Sequence, residues 1–433
     1  MKKWLLRITL GFVALLLLLY VFVLLRSLLP THVSDQDLAV NRATLADDAN
    51  AFNDLQTAVA HLAWPANADM DHISGYLLSD TNWDAELAGQ ILANNQAALA
   101  AWDAAAQRTD LQVPDNSNFT DDQAYLEAWK RLSLVAEVRE NLLLHNGQEK
   151  EALDQMMNHL QLGLRMENSR GPLLTYMVGF SVKSMALNQI LRWVGRTKLP
   201  ARQLKGYLQQ MDLMGDDEGA AVATAFKAEY QGQVGMLAVL RAGRLSPNAG
   251  AIYQDANTVM TGWLSWLPTY NRTGTRALLA GASAKLVEAT AHRYSEVQLP
   301  DYYAARPGPV SLILSGNLAG EIYYYEIMPS ENGVLVNKSK GDVQWQATRV
   351  TLALRAYQLT HGRLPADLAA LTPQFLDDVP ADDFDGQPLR YAPDRKIIYS
   401  VGKNLKDDGG DDRGLEEPAP SQRHLDIVYH LDF

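Results

Sequence analysis

The chain has 433 residues, with 38 basic against 50 acidic side chains, a formal net charge of -12 and no cysteine. The acidic surplus, with no Lys/Arg-rich block, excludes a nucleic-acid surface, which needs a basic excess to neutralise phosphates. The missing cysteines exclude disulfides, thiolate nucleophiles, Fe–S clusters and cysteine-ligated zinc.

Residues 8–25 form an uncharged run of eighteen, and with Trp4 to Leu6 the stretch approaches the roughly 20 apolar residues that cross a bilayer. Lys2, Lys3 and Arg7 precede the run, and only Arg26 follows before Asp35 and Asp37. The positive-inside bias predicts a cytoplasmic N-terminus with all later residues outside. Residues 26–30 lack a small-x-small cleavage pattern, so the expectation is an uncleaved single-pass anchor over residues 1–30 that meets lipid through residues 4–29.

From residue 31 to about 300 the pattern predicts amphipathic helices in short-linked hairpins. Thr120-Asp-Asp-Gln123 reads as a capping box for a helix carrying Tyr125, Trp129, Leu132, Ala136 and Leu143 on one face, ended by Asn146-Gly147. Leu153, Met156, Met157, Leu160 and Leu164 mark the next helix. Pro172 opens a third with Leu187, Ile190, Leu191 and Val194, which Gly195 closes, and Leu204, Tyr207, Leu208 and Met211 begin another. The hairpins look loosely like tetratricopeptide packing, which leaves a bundle or an irregular solenoid. Met156, Met157, Met166 and Met177 read as core packing rather than a peptide groove. Trp263, Leu264, Trp266 and Leu267 lack the basic face of a lipid binder and read as buried. This region resembles a broad group of uncharacterised membrane-anchored bacterial proteins, a likeness that brings no activity with it; together with the anchor, the expectation is a protein of the bacterial inner membrane with its bulk periplasmic or extracytoplasmic.

After a linker expected at 301–335, residues 336–433 read as a small α+β module. An amphipathic helix is expected over 342–361, stopped by Gly362, then a short helix over 365–371, a hairpin turning at Pro393-Asp394, and a third strand over 424–431. The succession Leu352-Ala-Leu-Arg-Ala-Tyr357, His361-Gly-Arg-Leu-Pro365, Val379-Pro-Ala-Asp-Asp-Phe-Asp-Gly-Gln-Pro-Leu-Arg-Tyr391 and Tyr399-Ser-Val-Gly402, before an acidic glycine loop, resembles the soluble part of type II secretion major pseudopilins. That resemblance implies a calcium-binding loop, with Ser400, Asp411 and Asp412 in ligand-like places and Asp407 and Asp408 nearby. Residues 377–417 hold twelve acidic and six basic side chains, and crowded carboxylates among glycines suit a cation with oxygen ligands. The pattern departs from pseudopilins at the N-terminus, because the apolar run carries no acidic residue and about 300 residues separate it from the module. Pilus polymerisation is therefore not implied.

No HExxH, GxSxG, P-loop or GxGxxG pattern occurs, and no Ser-x-x-Lys stands in the company of SDN or KTG, so neither a nucleotide nor an active site is expected. The histidines, among them His61, His72, His145, His159 and His292, are far apart in sequence and read as surface or core residues. Glu229, beside Tyr230 and near Phe226, is the one carboxylate singled out as a candidate buried acid, and the expectation is that it faces water. The functional expectation is a non-enzymatic, membrane-tethered envelope scaffold or binding protein. Its alternatives are an envelope-polymer hydrolase with a site at the domain junction, and an accessory of a pilus or secretion system that binds pilin-like partners.

Overall fold

The computed structural model describes residues 2–40, 44–64, 83–115, 124–215, 217–242, 270–411 and 426–433, and the chain they trace is mainly helical. Helix α1 (Lys2–Leu28) is long and apolar enough to cross a membrane, and its apolar side chains are nearly all exposed. Its last turn rests on the body of the protein. The Asn271 side-chain amide donates to the carbonyls of Arg26 (3.4 Å) and Leu29 (3.0 Å), groups at and just beyond the helix end, where intrahelical partners run out.

Among the described residues, eight helices come next: α2 (Phe52–Ala60), α3 (Ala85–Asn94), α4 (Gln96–Gln107), α5 (Ala124–His145), α6 (Glu149–Glu167), α7 (Leu173–Val194), α8 (Ala201–Met214) and α9 (Glu218–Ala242), then α10 (Arg272–Ala289). The hairpins stand where the apolar spacing put them. Gly147, at φ +74°, supplies the left-handed turn between α5 and α6. The stripe Leu153, Met156, Met157, Leu160 and Leu164 is buried, Met166 with it, and Met177 packs partly buried against a neighbouring cluster. The methionines therefore pack the core. The capping box at 120–123 and the aromatic segment at 252–269 lie outside the described residues.

Helices α6 and α7 approach backbone to backbone. A Cβ on Gly163 would stand 2.5 Å from the amide nitrogen of Lys183, and one on Gly179 would collide with the amide nitrogen of Glu167. Only glycine fits at either crossing point.

Residues 301–335, expected as a linker, carry α11 (Tyr302–Ala305), α12 (Pro309–Leu314) and the first part of α13 (Leu318–His361), a helix of 44 residues that passes unbroken through position 336. Pro329, Gly320 and Gly341 weaken the helical pattern in sequence. In space both glycines are close-approach points: Gly320 against Thr275 and Asn317, and Gly341 against Glu218 and Phe180. Helix α13 joins three apolar clusters in turn. Tyr323, Ile327 and Met328 pack with α9 and α10; Val334 and Leu335 pack with α7, α9 and α10; Val343 to Ala356 pack with α6, α7 and α8.

The last cluster also takes in Phe375, Phe384, Leu389, Ile398, Val401 and Leu431, so the terminal module shares its core with the helical body. Its sheet has the order β1 (Arg390–Ala392), β2 (Ile397–Ser400), β3 (Ile427–His430), antiparallel throughout, with Tyr391 opposite Ile398 and Ile398 opposite Tyr429. The expected hairpin and third strand are both present.

Candidate functional site

Buried polar centres occupy the described part of the helical body. In the first, Ser133 Oγ lies 2.7 Å from His159 Nε2, and His159 Nδ1 lies 3.0 Å from Glu140 Oε1. This is the order of a Ser–His–carboxylate triad, but all three side chains are at most 1% exposed and Trp102 covers the imidazole edge-on at 5.6 Å. No substrate reaches Ser133 from solvent. The centre is a hydrogen-bonded core element that fixes the α5–α6 register. Beside it, burial pushes the Glu137 carboxyl up to about 7 against the pull of Arg192, whose guanidinium donates to it at 2.8 Å.

The second centre lies in the α6/α7 seam. Lys183 Nζ stands 3.0 Å from Glu167 Oε2 and also contacts Glu218, which accepts from the Tyr176 hydroxyl. Both carboxylates and the lysine are sealed. Glu218 backs onto an open cavity of about 520 Å³, lined further by Asp217, Lys338 and Asp342. Lys338 on α13 is held by Asp383 of the terminal module at 2.9 Å, and the Ser339 hydroxyl donates to the same carboxylate at 2.6 Å.

The third centre corrects an expectation. Glu229 does not simply face water: it is half-buried, its Oε2 accepts from the Leu173 amide at 3.2 Å, and burial pushes its carboxyl up to about 7. Across from it, Glu331 is 3% exposed and accepts from Gln233 Nε2 at 2.5 Å. Burial, reinforced by the Glu229 charge, pushes Glu331 up to about 8.

In the terminal module the predicted ligand residues are divided among different tasks. The Ser400 hydroxyl donates to Asp382 Oδ1 at 2.9 Å, and Asp382 Oδ2 takes the Val401 amide (3.0 Å) and Arg390 (2.9 Å). Asp382 is fully buried, so Ser400 belongs to the internal brace under the hairpin. Asp407 Oδ1 accepts from the Gly409 amide at 2.9 Å, and Asp408 Oδ2 accepts from Asn404 at 3.0 Å. Asp411 follows at the end of the described loop, and Asp412 lies outside the described residues. The carboxylate that sequence reasoning missed is Asp426, which caps the loop from the start of β3 by accepting from Gly410 N (2.7 Å) and Asp408 N (3.4 Å). Burial raises its carboxyl, with the charges of Asp408 and Asp407 adding to the effect. Among the described residues no group of three or more His, Asp or Glu side chains is gathered as a metal shell. Of the predicted ligand residues, Ser400 is engaged with Asp382, and Asp407 and Asp408 bond within the loop.

Sequence reasoning also missed Lys183, Glu167 and Glu140, since a charged residue on a helix reads as solvent-facing; Gly163 and Gly179, which face Lys183 and Glu167 across the seam, were a signal for those two. Comparison of the chain with family models, with curated proteins and with solved structures finds no match in any of the three.

Proposed function

We propose that the protein is a membrane-anchored, extracytoplasmic binding or scaffold protein of the bacterial envelope, without enzymatic activity. The observation that carries this reading is α13. Just before its start Gly316 lies against Arg26 and Ser27 at the end of α1, Asn317 accepts from the backbone amide of Asn271, whose side chain holds the Arg26 and Leu29 carbonyls, and its last turns form the floor of the terminal sheet. Forty-four helical residues extend about 66 Å when straight, and an unbroken helix makes a stiff spacer between bilayer and module. In support of a non-enzymatic role, the triad-like chain of Ser133, His159 and Glu140 is sealed, and the oxygens of Glu218 are taken by Lys183 and Tyr176. The pseudopilin resemblance enters as a fold without polymerisation, with α1 as the lipid contact and the module as the face for an envelope or pilin-like partner.

The test is a pair of C-terminal fusions. A periplasmically active phosphatase is expected to be active and a reporter that matures only in the cytosol to be silent. The reverse result withdraws the localisation and the partner class together. A photo-crosslinker at Leu405, which is 42% exposed, is then expected to trap an envelope protein in intact cells.

The hydrolase reading draws on the cavity bearing Asp217, Glu218 and Asp342. It replaces the binding role if purified protein releases soluble fragments from peptidoglycan and Asp342→Asn abolishes the release.

A further inference from the structure

The C-terminal ends of α5 and α7 and the N-terminus of α6 enclose a half-open cavity of about 260 Å³. Its wall differs in charge from the rest of this acidic chain, because Arg192, Arg196 and Lys198 face it and Glu149 is the one carboxylate that lines it; Arg192 also donates to Glu137 at 2.8 Å, which leaves Arg196 and Lys198 as the larger part of the cationic face. That carboxylate is already turned aside: Glu149 Oε2 accepts from Thr197 Oγ1 at 2.8 Å and from the Lys198 amide at 2.9 Å. The Lys198 ammonium makes no ion pair among the described residues.

A second, independent feature lies in the same wall. Gln189 is 2% exposed and Trp193 is 4% exposed, and the Gln189 Nε2 and Trp193 Nε1 donors have no hydrogen-bond partner among the described residues. Leaving a buried N–H unpaired costs about 1–3 kcal/mol, so two at one cavity need an explanation. The indole ring beside them offers an apolar surface for the body of a ligand.

We infer that this cavity is a binding site for a small oxyanion, a phosphate- or carboxylate-bearing molecule whose oxygens take the Gln189 and Trp193 donors and whose charge is met by Arg192, Arg196 and Lys198. Guanidinium groups suit this task because they present planar paired donors to such oxygens. The volume lies below the range of drug-sized pockets and fits a compact ligand. The inference gives a ligand class to the binding role proposed above. Its test uses purified full-length protein in detergent and does not depend on topology, so failure here leaves the anchored reading standing and failure of the topology test leaves this site standing.

Isothermal titration with inorganic phosphate and with succinate measures binding, and co-flotation compares phosphatidylglycerol with phosphatidylcholine vesicles. Saturable binding of a free anion is expected. Flotation that depends on the anionic lipid and on Lys198 identifies a headgroup as the source of the same chemistry. Trp193→Phe keeps an aromatic ring, though a smaller one, and removes the donor, and Lys198→Ala lies at the exposed rim. Each is expected to weaken binding about five- to tenfold; Lys198→Ala leaves the melting temperature unchanged, whereas Trp193→Phe also lowers it through lost core volume, so its binding is measured well below its own melting temperature. Absence of saturable binding to both anions and to both vesicle types overturns the site, as does binding that both variants leave intact.

Discussion

Glu167 Oε2 stands 3.0 Å from Lys183 Nζ at the point where α6 and α7 cross on two glycines, and neither side chain reaches solvent. The close approach and the ion pair require each other, since the glycines bring the helices near enough for a lysine and a glutamate to meet inside. A sealed cation with two carboxylate partners is a weak source of stability as a set and a large loss when broken. Lys183→Met is therefore expected to destabilise the fold by about 3–5 kcal/mol, measured by urea unfolding in detergent. The triple replacement Glu167→Leu, Lys183→Met, Glu218→Gln is expected to recover most of that loss. A single Lys183→Met variant as stable as the parent would show the pair to be solvated.

Ser133, His159 and Glu140 make a second prediction. Glu140→Ala leaves His159 Nδ1 without its acceptor in a dry site, an expected loss of about 1–3 kcal/mol together with a cavity cost. Ser133→Ala removes a weaker link and is expected to cost less. Loss of an ester- or amide-hydrolysing activity in Ser133→Ala, with the fold intact, would contradict the structural role assigned to the chain.

The apolar spacing made the helical hairpins legible, because Leu153, Met156, Met157, Leu160 and Leu164 repeat at helical intervals and Gly147 punctuates them. The hairpin and third strand of the sheet were legible for the same reason at period two. The continuity of α13 was not. Pro329, Gly333 and Gly341 look like breaks to local propensity, whereas packing against α9 and α10 holds the helix together through them. Of the acidic loop, sequence identified Asp407 and Asp408 but not Asp426, which arrives from the far side of residues 412–425. The partners of Lys183 and His159 are long-range or buried relations that no single-sequence pattern encodes.

Glu331 and Glu229 predict a pH dependence. A carboxyl held at about 8 in the fold and near 4.5 in the unfolded chain keeps its proton in the native state while the unfolded state releases it. Across that window the native state binds more protons, so stability falls as pH rises, with the full contribution present below about 4.5 and lost by about 8. Glu229 adds the same sign of dependence up to about 7. The steepest slope for one group is about 1.4 kcal/mol per pH unit. Glu331→Gln preserves an oxygen for Gln233 and is expected to flatten the profile between pH 5 and 8, raising stability most at the alkaline end. Melting curves at three pH values decide it, and a profile unchanged by the substitution would place Glu331 in contact with water.

Calcium is tested by comparing two buffers. Asp411→Ala and Asp412→Ala are expected to lower the melting temperature in calcium and to change nothing in chelator. Asp426→Asn behaves differently, because its carboxylate caps the Gly410 and Asp408 amides whether or not an ion is bound. It is expected to lower stability by about 1 kcal/mol or more in both buffers. Equal effects of Asp411→Ala in the two buffers would reduce the loop to a solvated acidic turn.

Gly316 tests whether the anchor and the body move as one. Its φ of +75° is a conformation that side chains other than glycine adopt only with strain of about 1–2 kcal/mol. A Cβ there would also stand 2.7 Å from the Ser27 amide nitrogen and 3.0 Å from Arg26. Gly316→Ala therefore pushes the last turn of α1 away from the body and weakens the Asn271 bonds to the Arg26 and Leu29 carbonyls. The expected readout is faster proteolytic cleavage near Thr31 in detergent, with little change in the unfolding of the α5–α8 core, which lies in a separate cluster. Cleavage at the parental rate would mean that the foot of α1 is free of the body, and the spacer role of α13 would lose its fixed end.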